Sequence, residues 1–583
     1  MTQRSSSEGS RDYTAVVYFH GMGSQKRYEE VSRLIDALDH YGHGLSAARL
    51  GDIHAKSETS RIGQDDCTYI EAICQHQAVG GFRRDRFRFY EAYWAPAAAG
   101  GVPVREVLRW MLGRIPNPLL SATAPWRLRA RLRTAYLFSL WRRLDRSGRN
   151  PYNRNTLRRL LDSYQAFEAP EQWRAYPRGR FCEFVESLRR RYPMDASAVA
   201  LARAWRSHYR RCEALNQFVL LSLGLAMGVA ALLALSGLSG LYRWYAGASL
   251  GLVEWLDWRR ADGWESVLAV LAGLGSFTGI GSFLSNYMGD VQLWTTYEET
   301  EEKHRKRRDI LEVGVSTFRH VLSDACCKRV VVVAHSLGSS VACDALLHLG
   351  RYNRARAPAD RLPLEKLDQF VTLGSPVDKV HYFFESEAGR YHRYNRVKEE
   401  VRGDLGHAPF TARGKPQIHW INIWDRADII SGPLESPNDL RMKALPVDNL
   451  EVSSLRFPAP GGSHSAYFGN ATVVGLLFRA IFDQAYSYRD PPLAAGRPDF
   501  KALGVGRGGG RAYTAPLQAL MLLLPWMGAA YLLAAGQDSS AAPWLGGTGL
   551  ALLAALAGLS LLARKPSAGD GDRIRGKAAR LLG

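Results

Sequence analysis

Short apolar runs alternate with amphipathic stretches near both ends of residues 13–490, and this pattern predicts strands and helices in turn. Ala15-Val16-Val17-Tyr18-Phe19 reads as a buried strand that stops abruptly at His20-Gly21-Met22-Gly23-Ser24, with a helix over about 27–38 behind it. Residues 86–94, RFRFYEAYW, alternate and are rich in aromatics, which predicts a second strand. The alternation breaks between about 96 and 286. It resumes with a polar helix over about 291–322, a strand over 329–333, a helix over 337–349 and strands over 369–373 and 418–424. Strands alternating with helices predict an α/β fold, a mainly parallel sheet with helices on both faces.

Four longer runs are of another kind. Residues 217–241, 266–288, 515–535 and 543–562 carry no charged side chain, and ~20 such residues suffice for a helix to cross ~30 Å of hydrocarbon. Short connections pair them into two transmembrane hairpins, each returning the chain to its side of origin. That return is what the sheet requires, because strands before and after the first hairpin belong to it. The chain thereby divides at 13–95, an Arg/Trp-rich helical insertion at 96–215, a hairpin at 216–289, the second part of the sheet domain at 290–490, a Pro- and Gly-rich linker at 491–514, a second hairpin at 515–563 and a basic tail at 564–583.

Charge orients this arrangement. Arg203, Arg206, Arg210 and Arg211 precede the first hairpin, Lys303 to Arg308 follow it, and Arg564, Lys565, Arg573 and Arg575 follow the second. Basic flanks stay in the cytoplasm, so the sheet domain and both termini are expected on the cytoplasmic side of the cell's inner membrane. The first residues show no long apolar stretch ahead of a small-residue cleavage site, as expected of a chain that is not exported. Seven cysteines without paired spacing fit reduced thiols. The net charge of +20 asks for an acidic partner. Between Gly101 and Cys212 stand about two dozen arginines and no lysine, interleaved with Trp110, Trp126, Trp141, Trp173 and Trp205. Beside a membrane hairpin that mixture predicts anionic lipid headgroups as the partner, with the tryptophans in the interfacial zone. No nucleic-acid-binding signature accompanies the charge, and nucleic acid is not expected.

Candidate chemistry centres on Val330-Val331-Val332-Val333-Ala334-His335-Ser336-Leu337-Gly338. A buried strand, then small-x-Ser-x-Gly, then a helix is the setting of a nucleophile elbow, a turn so tight that its serine projects between small neighbours. Ala334 takes the place of the usual first glycine. The Leu337 N–H at the helix start is one expected donor to an oxyanion, and Met22 N–H in the His20-Gly21-Met22-Gly23 loop is the other. A serine needs a base and an orienting acid, in the chain order Ser, acid, His. Asp425 and Asp428 follow the strand ending at Trp424. Asp428 is preferred, since an acid before Ile-Ile-Ser-Gly resembles the Asp-Ile-Val-Pro turn of fungal lipases, and Asp425 stays open as the alternative. For the base, His464 in Gly461-Gly462-Ser463-His464 is preferred over His348, His381, His392 and His407, while His419 within a strand reads as structural. Ser375 in Gly374-Ser375-Pro376 reads as turn chemistry.

These pieces resemble the α/β-hydrolase superfamily, in particular its lipase-like branch with an Ala-His-Ser-Leu-Gly elbow. The resemblance covers about 13–95 and 290–490 and leaves the insertion and both hairpins outside. It implies a serine esterase or lipase acting on ester or thioester substrates without a metal or other cofactor. The residues it implicates are Ser336, His464 and Asp428 as triad, Met22 and Leu337 as oxyanion donors, and His20, Gly21, Gly23, His335 and Gly338 in support. Acyl transfer or thioester cleavage by the same residues, and a non-catalytic membrane scaffold with a hydrolase-like body, are the alternatives. The oligomeric state is left open.

Overall fold

The computed structural model describes residues 12–22, 26–44, 54–62, 65–78, 81–98, 150–167, 180–191, 196–212, 301–378, 407–412, 415–425, 430–434, 447–452 and 460–482, with Leu405, Asp428 and scattered positions over 106–144, 214–225, 290–294 and 523–552. Eight strands form one mixed, mainly parallel sheet in the spatial order β10-β9-β6-β5-β1-β4-β3-β2. They are β1 (Tyr13–Phe19), β2 (His54–Ile62), β3 (Asp65–Ala78), β4 (Gly81–Glu91), β5 (Cys327–His335), β6 (Leu367–Leu373), β9 (His419–Asp425) and β10 (Val447–Val452). Two-residue strands β7 (Thr411–Ala412) and β8 (Lys415–Pro416) pair separately. All neighbours from β10 to β4 run parallel, and β3 and β2 complete the edge antiparallel.

β1 lies between β4 and β5, with Val16 opposite Phe89 on one side and Val331 on the other. From β1 the chain first goes to the far edge at β2 and builds inward through β3 to β4 beside β1, then crosses to β5 on the other side of β1 and builds to the opposite edge. The order therefore reverses between β1 and β5, and in open α/β sheets the crevice beyond the carboxyl ends of strands at such a point is the customary ligand site.

Because β1 and β5 are buried on both faces, their side chains can be apolar throughout. Ala15, Val17 and Phe19 pack on one side with helix α2 (Glu301–Ser323) and helix α3 (Gly338–Arg354), through residues such as Phe318 and Val341. Val16, Tyr18, Val331 and Val333 pack on the other with α1 (Glu29–Gly44) and α4 (Ala471–Phe482), through Leu34, Leu38, Val473 and Leu477. The expected strands are present with shifted ends. The one expected over 86–94 stops at Glu91, and Trp94 lies beyond it as a loop residue.

The insertion contributes a separate core. Helices Arg154–Phe167 and Arg180–Arg191 and a helical run over 196–212 enclose Tyr164, Phe184 and Trp205, with Tyr164 and Trp205 ring centroids 4.8 Å apart. Trp205 is fully buried and Trp141 is 8 % exposed. This corrects the interfacial reading of both: they are core residues that hold the helices together, while Arg158, Arg159, Arg189, Arg190, Arg203, Arg210 and Arg211 point outward. Trp110, Trp126 and Trp173 lie outside the described residues.

Among the described residues no helix is long and apolar enough to cross a membrane, and the four apolar stretches fall mostly outside those residues. The first and third touch at described residues: the Phe218 and Trp526 rings stack at 6.2 Å, and Trp526 Nε1–H donates to Ser222 Oγ at 2.9 Å.

Candidate active site

Each element of the site hangs from the carboxyl end of a parallel strand. β5 runs into Ser336, whose φ of 52° lies in the left-handed region. A non-glycine residue pays about 1–3 kcal/mol for that conformation and keeps it only where its surroundings fix it. Here Ser336 N–H donates to Leu373 O at 2.9 Å, and Ser339 Oγ–H donates to Ser336 O at 2.5 Å. Ser339 Oγ also lies 2.7 Å from Ser375 Oγ, so Ser375 braces the elbow. Gly338 lets α3 start against β1. A β-carbon there would stand 2.3 Å from His20 O and 2.6 Å from Phe19 O.

The loop after β9 brings Asp428 to the same place, and the short helix Pro460–Ser465 brings His464. His464 Nδ1 is 2.8 Å from Asp428 Oδ2, and Nε2 is 2.7 Å from Ser336 Oγ. Since an ionised carboxylate only accepts, Nδ1 carries the proton and Nε2 accepts from the serine hydroxyl. Asp428 accepts three further hydrogen bonds, from Tyr467 OH at 2.8 Å, Ile430 N–H at 2.8 Å and Ser431 N–H at 3.3 Å. Burial, the largest single influence, pushes its carboxyl up, but the bonds and charge of His464 with the bonds of Tyr467 and Ser431 hold it at about 2. Asp425 ends β9, where its backbone N–H donates to Tyr467 OH at 3.1 Å, and its carbonyl accepts from Asp428 N–H. Of the two acids left open by sequence, Asp428 is the one that meets the histidine.

His20 and Gly21 form the opposite wall. Trp94 N–H and Ala95 N–H donate to His20 Nε2 at 3.1 and 3.3 Å, so Nε2 is unprotonated and Nδ1–H donates to Gly21 O at 2.8 Å. Burial drives the imidazole to about 4, which keeps it neutral. Trp94 stacks on the ring at 4.6 Å. In a planar trans peptide the carbonyl and the following N–H point in opposite directions, so a Gly21 carbonyl held toward His20 turns Met22 N–H away from it. Gly21 itself borders the serine, since a β-carbon there would lie 3.1 Å from Ser336 Cβ. Leu337 N–H heads α3, where the first amides lack partners within the helix. Gly23 lies outside the described residues.

Of the rival histidines, His348 projects from α3, while His381 and His392 lie outside the described residues. His407 opens the turn that receives Phe410 and Thr411 N–H. His419 Nε2 lies 2.7 Å from Asp448 Oδ2, tying β9 to β10, as its strand position predicts. Three further residues take part that no local motif marks as functional. Tyr467 stands three residues after His464, a spacing visible in the chain. Gly374, with φ of 61°, packs under the histidine, where a β-carbon would stand 3.2 Å from His464 Nδ1. Glu30, in the first turn of α1, reaches His335 with no local signal. Compared with protein families, with curated proteins and with solved structures, the chain matches none.

Proposed function

We propose that this chain is a serine hydrolase of carboxylic esters with an α/β-hydrolase-like body, anchored at a membrane and acting on acyl esters drawn from it. The observation that carries the reading is the unbroken series Ser336–His464–Asp428, with hydrogen bonds of 2.7 and 2.8 Å, built on a serine held at positive φ. Ser336 Oγ attacks the carbonyl carbon as its proton passes to His464 Nε2. The imidazolium so formed is stabilised by Asp428, whose four donors keep it ionised and fixed. Negative charge on the former carbonyl oxygen falls to the N–H groups of Leu337 and Met22, each worth about 3 kcal/mol in comparable sites. Collapse expels the alcohol, which takes the proton from His464. Water then repeats the sequence on the acyl-enzyme and releases the acid.

The membrane part of the proposal is supported by exposed apolar side chains. The large hydrophobic residues exposed among the described ones, Leu215, Phe218, Leu221, Leu523, Trp526 and Trp544, all lie in or beside the charge-free stretches. A surface of that kind calls for an apolar environment. The Phe218–Trp526 contact further supports a single bundle made from both hairpins.

Labelling with a fluorophosphonate probe tests the chemistry. Wild-type protein is expected to label and to hydrolyse chromogenic esters, and Ser336→Ala is expected to do neither. Label persisting in Ser336→Ala would overturn the assignment.

A further inference from the structure

His335 precedes the nucleophile and takes no part in the steps above, yet its buried side chain joins two elements of the site. Nε2 is 3.1 Å from the backbone oxygen of His464, an atom that only accepts, so Nε2 carries a proton. Nδ1 faces Glu30 Oε1 at 3.5 Å, close enough for an ion pair though long for a hydrogen bond. The other oxygen of Glu30 accepts Tyr18 OH at 2.7 Å. The His335 ring lies 5.2 Å from the His464 ring at 27°, stacked behind it. Both ring nitrogens thus face acceptors, a surrounding that an imidazolium satisfies and a neutral imidazole does not.

We propose that His335, as an imidazolium paired with Glu30, is a positioning residue for the reaction: it grips the backbone of His464 and holds the catalytic ring in line with Ser336. The inference rests on the hydrolase reading of Ser336. Glu30 comes from α1, His464 and Tyr467 from the segment before α4, Asp428 from the loop after β9 and His20 from the loop after β1, and these are the titratable groups around the His335 ring, with Glu91 acting on Glu30 from β4. Burial lowers the affinity of His335 for its proton, but Glu30, the His464 carbonyl and Asp428 outweigh it and leave the group raised. Burial likewise pushes Glu30 up, while His335 and Tyr18 bring it to about 2. Both directions favour the ionised pair. It comes apart on the alkaline side as His335 gives up its proton, and in strong acid as Glu30 takes one up at about 2.

Three variants test this in the full-length protein, with kcat and KM for a chromogenic ester measured across pH and folding checked by thermal denaturation. His335→Leu should lower kcat about 10- to 100-fold, the cost of a misplaced catalytic group, with KM within about twofold. In Glu30→Gln the imidazolium lacks its counter-charge, so the alkaline fall in kcat should move to lower pH. Glu30→Gln combined with His335→Gln replaces a charged pair by a neutral one that still offers an N–H to the His464 carbonyl. It should recover most of the kcat lost in His335→Leu and lack that alkaline fall. Folded variants that label at Ser336 and share the wild-type kcat and pH profile would overturn the inference alone. Absence of labelling in the wild type would overturn the hydrolase reading and the inference with it.

Discussion

Asp425 and Asp428 are three residues apart, and in the sequence only the likeness of the Ile-Ile-Ser-Gly turn to that of fungal lipases favours Asp428 over Asp425. The decision is spatial. Asp428 gathers four donors, including the histidine, whereas Asp425 closes the strand and offers its backbone to Tyr467. Asp428→Asn should lower kcat by roughly 10⁴-fold, because an amide can donate and so admits the wrong tautomer of His464, while Asp425→Asn should stay within about 10-fold. Steady-state hydrolysis of a chromogenic ester measures both. Ser336 and His464 were legible because local patterns mark them, a strand before a small-x-Ser-x-Gly turn and a glycine-rich loop before a helix. Glu30 was not, since only the packing of α1 across β1 brings it to His335. A second carboxyl carries a different prediction. Burial, with Glu30 nearby adding to it, raises Glu91 to about 7 against the bond from Tyr28 N–H. Its folded-state value thus exceeds its unfolded one, so it favours the folded state least above pH 7 and ceases to oppose it below about 4.5. Glu91→Gln should stabilise the protein at pH 8 by on the order of 2 kcal/mol and change little at pH 4.5, as read from thermal denaturation at the two pH values.

Elements were readable in proportion to their burial. β1 and β5 announce themselves as apolar runs because both faces of the central sheet are covered. β2, HAKSETSRI, lies at the edge and has almost no apolar alternation, and β3, DDCTYIEAICQHQA, mixes charge through its length. Neither carries the period-2 signal that a half-buried strand needs. β10 escaped for another reason: VDNLEV is short, and polar pairs such as Asn422 Nδ2–H to Asn449 Oδ1 at 2.9 Å tie it to β9. The junction of α3 with β1 gives the sharpest test at this scale. With backbone oxygens at 2.3 and 2.6 Å from a new β-carbon, Gly338→Ala should cost about 3 kcal/mol or more. Gly469→Ala meets nothing within 4 Å and should shift stability by less than about 1 kcal/mol. Urea denaturation of the two variants makes the comparison.

At the scale of the whole molecule, the site joins residues from 20 to 467 across a long insertion. If the exposed apolar residues of that insertion and of 523–544 sit in a bilayer, the chain should stay with membranes through an alkaline carbonate wash and leave them only in detergent. Release into the carbonate supernatant would overturn the anchoring. The insertion's own aromatic core explains why Trp141 and Trp205 misled: composition alone does not separate a ring facing lipid from one packed between helices, and both rings do the latter with Tyr164 and Phe184. The central place of β1 has one more consequence, which concerns synthesis. Its two neighbours, β4 and β5, are 235 residues apart from the end of one at Glu91 to the start of the other at Cys327, by subtraction of 91 and one from 327. At ~5–20 residues per second a ribosome needs roughly 10–50 s to cover that interval. Through it, β1 waits with one apolar edge unpaired until β5 is made, so the centre of the sheet closes only after the whole insertion has been synthesised.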